Sequence, residues 1–445
     1  MSRVAVLGGG LAGLRAALCA ADAGHAVTLL ERRPRLGGLA GSFERAGRGV
    51  DAGQHVFLRC CTAYRNLLDR LGVTEQTVLQ DRLDVTVLRP GRAPARLRRT
   101  GAPAPLHLAG SLLRYDPVPL RARLALGRAA LALRGVDPAD PAGDRETFGA
   151  WLRRHGQSPA AVRGVWDLIG LPTLNLPADE ASLALAAVVF RLGLLGDADA
   201  ADIGWARVPL GELHHDGARR ALAAAGVVVE TGARVTAVAP DLRVTTTGRD
   251  GRRATLAADA VVCALPPEAA ATVLPEPVAS RLALDAAALG ASPIVDVHLH
   301  YDRPVLDVPF AAGLESPVQW VFDRTRPGDA GQYVVVSLSA ADAYLRRPTA
   351  DLVATFTAEL ASLLPRARPA QLLDAFVTRE PRATFRPVPG TAAHRPAATT
   401  SVPGLALAGA WTDTGWPATM EGAVRSGETA AAVVAPPGPA DRVAA

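Results

Sequence analysis

With 445 residues, 49% of them apolar, the chain can bury a sizeable core and has the length of two domains. No uninterrupted apolar run is long enough to span a bilayer. The net charge of +5 is carried by arginines spread along the chain, lysine being absent. With only 4% aromatic residues and no nucleic-acid-binding module, this argues against a nucleic-acid partner and leaves an anionic membrane surface as the better candidate. The four cysteines lack metal-ligand spacing, so no metal is expected, and they fit the reducing cytoplasm.

Arg3-Val4-Ala5-Val6-Leu7 is an apolar run suited to a buried parallel strand, and its position leaves no room for a cleavable signal peptide. It enters Gly8-Gly9-Gly10-Leu11-Ala12-Gly13, a G-x-G-x-x-G pattern. Gly8 permits the tight turn, Gly10 the close approach of a pyrophosphate, and Gly13 close helix–strand packing. The helix start at Leu11 and Ala12 presents free N–H groups to the anion. The helix runs to about Ala23, with Gly24 as its stop, and Ala26–Leu30 forms a second strand ending at Glu31. Glu31 lies roughly 20 residues beyond the glycines, where a carboxylate accepts from a ribose 2′-hydroxyl; an acid there argues against a 2′-phosphate.

Beyond Glu31 come Arg32-Arg33-Pro34-Arg35-Leu36-Gly37-Gly38 and Leu39. This resembles the extended fingerprint of two-dinucleotide-binding-domain flavoproteins, in which an R-x-G-G wraps the pyrophosphate and ribityl chain of FAD. The resemblance implies FAD as the cofactor, with Arg32, Arg35, Gly37, Gly38 and Leu39 beside it. Leu39 departs from a family in which a basic residue is frequent.

Gly49-Val50-Asp51-Ala52-Gly53-Gln54-His55-Val56-Phe57-Leu58 follows, then Tyr64. Residues 80–204 read as mostly helical. Within them, 106–133 alternates Leu112, Leu113, Leu120, Leu124, Leu126 and Leu131 with Arg114, Arg121, Arg123 and Arg128. Such a helix either lies in a membrane interface or covers its own domain with its arginine stems packed. Gly211 to Ala225 reads as helix, containing the adjacent His214-His215, which point to different faces and so suit no metal. Strands follow at 226–230, 235–238 and 260–265. Residues 270–390 hold alternating runs at Ile294–His300, Val318–Phe322 and Tyr333–Val336 that read as an antiparallel sheet. His298 and His300 share one face of their strand, as pocket lining or ligands. Leu405–Ala408 is a strand, and Gly409-Ala410-Trp411-Thr412-Asp413-Thr414-Gly415-Trp416-Pro417-Ala418-Thr419 leads into a helix over Met420–Val434. The Pro-rich tail 436–445 reads as disordered.

Gly53-Gln54-His55, the segment Leu168–Ser182 and the stretch Asp413–Gly422 resemble those of the hydroxysqualene dehydroxylases, the squalene-associated branch of the phytoene desaturase and amine oxidase flavoproteins. The fold class expected is α/β, a Rossmann-type FAD-binding domain with a discontinuous α+β substrate domain. Residues 1–79, 205–267 and 391–435 form the first, and 80–204 and 268–390 the second. The resemblance places Gly53, Gln54, His55, Val235 (on the adenine through its backbone), Gly409, Ala410, Pro417, Ala418, Thr419, Met420 and Glu421 at FAD. Ala410 stands where relatives carry an acid for the ribityl hydroxyls, and Asp413 is a candidate replacement.

The activity it implies is reduction of hydroxysqualene to squalene and water by reduced FAD. The isoprenoid substrate would run along Trp166, Thr173 and Asn175. His55, oriented by Gln54 or Asp51, is the candidate proton donor, since imidazole titrates near neutrality; equally, it packs by the flavin. A second reading within the oxidoreductases runs the flavin oxidatively, as a carotenoid desaturase or amine oxidase. A third is a flavin-binding regulator without turnover. With one G-x-G-x-x-G the chain has no second dinucleotide cradle, so the electron donor is a partner or a diffusing flavin. The expected location is cytoplasmic, with peripheral contact at the inner face of the membrane.

Overall fold

The structure, a computed structural model, describes residues 1–434; the tail 436–445, expected to be disordered, lies outside the described residues. Arg3–Leu7 is the middle strand of a five-stranded sheet, flanked by Ala26–Glu31 and Ala260–Cys263, with Val228–Thr231 and Leu405–Leu407 at the edges. Every pair is parallel. A parallel strand covered on both faces must be apolar throughout, and Val4–Leu7 and Ala260–Cys263 are fully buried. Three distant stretches of chain therefore close one sheet.

Helices Leu11–Asp22 and Met420–Val434 pack together over one face of that sheet. They approach so closely that a Cβ at Gly427 would lie 2.2 Å from the Ala12 carbonyl oxygen. The helix expected over Gly211–Ala225 is present in two parts, a π-helical turn at Glu212–Gly217 and an α-helix at Ala218–Ala224. A three-stranded meander of Arg234–Val238, Arg243–Thr247 and Arg253–Ala257 returns the chain to the sheet.

The second sheet has seven strands, in the order Leu372–Thr384, Ser292–Tyr301, Gln332–Ser339, Trp320–Asp323, Phe310–Gly313, Asp84–Leu88 and Ala95–Arg98. It is antiparallel except where Phe310–Gly313 meets Asp84–Leu88. The start of the 80–204 insert is thus a β-hairpin and not helix. Val85, Val87 and Leu97 alternate with polar residues over stretches too short for a helical period, and they are buried in the sheet.

Residues 106–133 do not form one helix either. Ala109–Arg114 and Leu120–Arg134 are separate helices, broken at Pro117 and Pro119, which cannot donate to a preceding turn. Among the described residues no helix is long and apolar enough to cross a membrane.

On the Ser292–Tyr301 strand, Val295, Val297, Leu299 and Tyr301 pack with Leu352, Phe356 and Leu360 of helix Thr349–Leu363. Asp296 and His298 therefore look the opposite way, Asp296 towards the turn at Gly53. The Gly427 contact makes a direct test of the parallel domain. Gly427→Ala forces Leu11–Asp22 and Met420–Val434 apart, and a loss of about 2 kcal/mol in denaturant unfolding is expected; unchanged stability would refute the contact.

Candidate active site

The glycine turn is built by what its residues lack. Gly8, at φ +103°, could carry no side chain, because a Cβ would meet the Ala264 carbonyl oxygen at 2.7 Å, and a Cβ on Gly13 would lie 1.9 Å from the Gly8 oxygen. Gly10 is the N-cap of the Leu11–Asp22 helix and uses no side chain to satisfy its first turn. The leading N–H groups of that helix, those of Leu11 and Ala12 among them, are the ones an anion can take. Gly37 donates to the Gly9 carbonyl at 2.8 Å, and a Cβ on Gly38 would sit 3.0 Å from the Gly10 Cα. The two glycine loops thus form one cradle.

Glu31 is buried, and its carboxylate accepts from the N–H groups of Gly9 and Arg33, each at 2.7 Å. Each oxygen keeps a further lone pair for a hydroxyl. Ala233 donates to the Glu31 carbonyl, which sets the Arg234–Val238 strand beside the end of Ala26–Glu31. Val235 pairs with Thr246 on one edge only, leaving its other edge open.

Arg32 and Arg35 are exposed, Arg35 in a loose 3.7 Å pairing with Glu44, and Leu39 projects outward at 43% exposure. The loop is held from below by the histidine pair. The Leu36 N–H donates to His215 Nδ1 at 3.0 Å, and His214 Nδ1 donates to the Ala40 carbonyl at 2.6 Å. That bond leaves His214 Nε2 to accept from the Tyr64 hydroxyl at 2.9 Å. Burial pushes His214 down to about 4, so it is a neutral strut. Among the described residues no cluster of His, Cys, Asp or Glu is placed to hold a metal.

The C-terminal loop has its own support. Gly409 adopts φ +140° and donates to the Ser426 hydroxyl at 2.8 Å. The buried guanidinium of Arg395 donates to the carbonyls of Thr412 and Trp416 at 2.6 and 2.7 Å, with the Ala410 carbonyl at 3.5 Å. Pro417 and Ala418 lead to Thr419, whose hydroxyl accepts from the Gly422 N–H at 3.1 Å and starts the final helix. Met420 and Glu421 are its first two residues.

Two side chains expected at or near FAD have partners within the chain. The Glu421 carboxylate accepts from Ala63 and Tyr64 N–H at 3.1 and 2.7 Å and pairs with Arg425, so that side chain caps the Thr62–Leu71 helix. Asp413 is exposed, and its carboxylate accepts from the Gly415 N–H at 3.3 Å.

The turn at Gly53-Gln54-His55 faces the second sheet. Asp51, buried, accepts from the Ser42 hydroxyl at 2.7 Å, from the Leu210 N–H at 2.8 Å and from Arg324. It is fully committed, so it does not orient His55. The partner of His55 Nδ1 is the Gly53 carbonyl at 2.9 Å, and Gln54 makes no bond to the ring. Burial lowers the His55 imidazole from its ordinary value, and the Gly53 carbonyl only partly offsets this.

Opposite the turn, ladder partners place Asp296, Ser337 and Trp320 on one face, joined through Ala312 and Phe322 to Phe310. Trp205 stacks edge-on against Phe310 at 5.4 Å, and Trp205, Trp320 and Phe322 are half-buried. The residues expected to line a substrate path have structural partners. Trp166 is core, against Phe148 and Phe190, with its indole N–H on Gln157. Asn175, at φ 55°, ends a helix and ties it to Ser292, Thr384 and Ala340. The Thr173 hydroxyl bonds back to the Ile169 carbonyl.

Comparisons with known proteins agree with this architecture. The flavin containing amine oxidoreductase family matches residues 11–435. A hydroxysqualene dehydroxylase of Rhodopseudomonas palustris is 30% identical over 97% of this chain and 98% of its own length. A zeta-carotene desaturase of Solanum lycopersicum is 29% identical, the match covering 43% of this chain and 34% of that relative. A solved putrescine oxidase shares the fold with a TM-score of 0.72 at 21% identity, over 97% of this chain and 98% of that one. FAD is the cofactor of such enzymes, and the paired glycine loops, the helix start and Glu31 fit it. Glu31→Ala strands the Gly9 and Arg33 N–H groups and removes a charged acceptor; FAD affinity should fall roughly 10- to 100-fold in fluorescence titration, and an unchanged affinity would remove Glu31 from the site.

Proposed function

The chain belongs to the flavin containing amine oxidoreductases, an FAD-dependent oxidoreductase, and on that footing we propose that it reduces hydroxysqualene to squalene with loss of water. The observation that carries this reading is the half-buried aromatic wall of Trp205, Trp320 and Phe322, backed by Phe310, running to the Gly53–His55 turn beside the cradle. Aromatic faces of that kind suit a long apolar chain and offer few polar groups to orient anything else. The full-length similarity to a hydroxysqualene dehydroxylase supports it.

The leaving hydroxyl of such a substrate is allylic, so its departure leaves a delocalised cation. Bound in its reduced form, FAD supplies the hydride. The chain's own residues do the rest. The cradle holds the dinucleotide, and the first turn of Met420–Val434 offsets negative charge with its positive dipole end. The aromatic wall excludes water from the cation.

The exposed leucines extend the proposal to a lipid surface. Leu120, Leu124 and Leu131 lie on one stripe of their helix at 57, 65 and 58% exposure, with Arg121 and Arg128 exposed alongside and Leu106 and Leu113 exposed on the preceding turns. An isoprenoid dissolved in a membrane would be collected at such a face.

Anaerobic photoreduction followed by hydroxysqualene should reoxidise the flavin and yield squalene; no reoxidation and no squalene refute the reading. Coloured product from phytoene would favour the desaturase reading suggested by the carotene desaturase relatives. For the lipid face, the double variant Leu124→Asp with Leu131→Asp should weaken co-sedimentation with anionic vesicles by about tenfold or more. Equal sedimentation of wild type and variant would refute that contact.

A further inference from the structure

We infer that Asp296 is the proton donor to the departing hydroxyl, a role that rests on the dehydroxylation reading above. Asp296 lies mid-strand in Ser292–Tyr301 and is 1% exposed, and neither of its carboxylate oxygens is in a well-formed hydrogen bond within the chain, the Ser337 hydroxyl and the Gln54 N–H being close but poorly aligned. A buried polar group left unpaired lowers stability, so its presence marks a place where something outside the chain is met.

Its direction is fixed by its neighbours. Val295 and Val297 are sunk in the core against Phe356, so Asp296 must face the Gly53 turn. A Cβ on Gly53 would lie 3.9 Å from Asp296 Oδ2 and 3.4 Å from His55 Cε1, which puts carboxyl and imidazole on the same turn. Ser337 is directly across the ladder from Asp296, and Trp320 directly across from Ser337. The acid thus stands where the aromatic wall reaches the turn.

The charged and titratable groups around it are accounted for. Asp51 is paired with Arg324, and His298 is bonded to the Tyr333 and Thr378 hydroxyls and pushed down to about 3 by burial. Burial raises Asp296 to about 7, against the opposing pull of the Ser337 hydroxyl and the Gln54 N–H. Burial lowers His55. Near neutral pH a substantial share of the carboxyl is therefore protonated, while the imidazole is held towards its neutral form. Two groups whose surroundings push them in opposite directions define the acid of the pair.

The step balances. The Asp296 carboxyl proton passes to the substrate oxygen, the C–O bond breaks with its electron pair leaving as water, and the allylic carbon is closed by a hydride that bound, reduced FAD would supply. Asp296 is left as carboxylate and regains its proton from solvent.

The test uses the FAD-loaded protein. Wild type should show a protonated-carboxyl infrared band that titrates near pH 7 and is missing from Asp296→Asn. A band absent from the wild type across about pH 5 to 8 overturns the inference without reference to turnover.

In single turnover with hydroxysqualene, the wild-type rate should be level below the Asp296 value and fall above it, because the acid form is required. Asp296→Asn should be slower on the order of 10²- to 10⁴-fold with a flat pH profile, and Asp296→Glu should recover part of the rate. If wild type turns over and Asp296→Asn matches it, Asp296 is not the donor while the dehydroxylation reading stands. If wild type itself is inert towards hydroxysqualene, that reading falls and the donor role falls with it. Bound FAD in each variant, measured by absorbance, separates these outcomes from misfolding.

Discussion

Asp51 is the point at which the separate parts of this molecule are locked together. One carboxylate accepts from Ser42 in the first cradle segment, from the Leu210 backbone in the second, and from Arg324 on the sheet that faces them. A buried side chain with this many donors has its hydrogen-bonding capacity met, and any one donor lost would leave a buried polar atom unpaired. The turn that follows it, Gly53 to His55, is consequently held against the second sheet with little freedom. The placement of His55 near Asp296 depends on that lock.

The same economy of charge runs through the site. Histidines that would be switchable in water are neutral struts here. His214 supports the Ala40 carbonyl and Tyr64, His215 supports Leu36, and His298 is enclosed by two hydroxyls and the Phe376 ring. Arg395 spends its guanidinium on the carbonyls of a loop. What is left facing the aromatic wall is a carboxyl without a well-formed hydrogen bond, in a site sparing of charge.

Much of the parallel domain was legible in the residues themselves. Gly8, Gly10, Gly13 and Glu31 carry spacing that only a tight turn, a close backbone approach and a terminal acid explain, and the structure builds the turn on those contacts. Local spacing could not supply what was decided over long sequence separations. Arg395 lies 15 residues before Ala410 in a stretch without pattern, and its role follows from where the loop folds back. Asn175 lies in the family-like segment Leu168–Ser182 and Trp166 just before it, which invited a substrate role for both, but Trp166 packs against Phe148 and Asn175 is tied to Ser292. Asp296 did leave a signal: it is an acid in an alternating strand whose other face is Val295, Val297 and Leu299. Its meaning required knowing what the polar face looked at.

By itself, then, the sequence determined the dinucleotide cradle, the strand and helix types around it, and the alternation of the second sheet. Each of these is a consequence of side-chain size, backbone freedom or periodicity over a few residues. The tertiary structure alone decided that the 84–98 segment pairs into that sheet, that Asp51 and Arg324 meet, that Glu421 caps a helix, and that Asp296 faces the Gly53 turn. Those are contacts between residues tens to hundreds of positions apart, where burial and hydrogen-bond satisfaction act on the assembled chain and leave no local pattern to read.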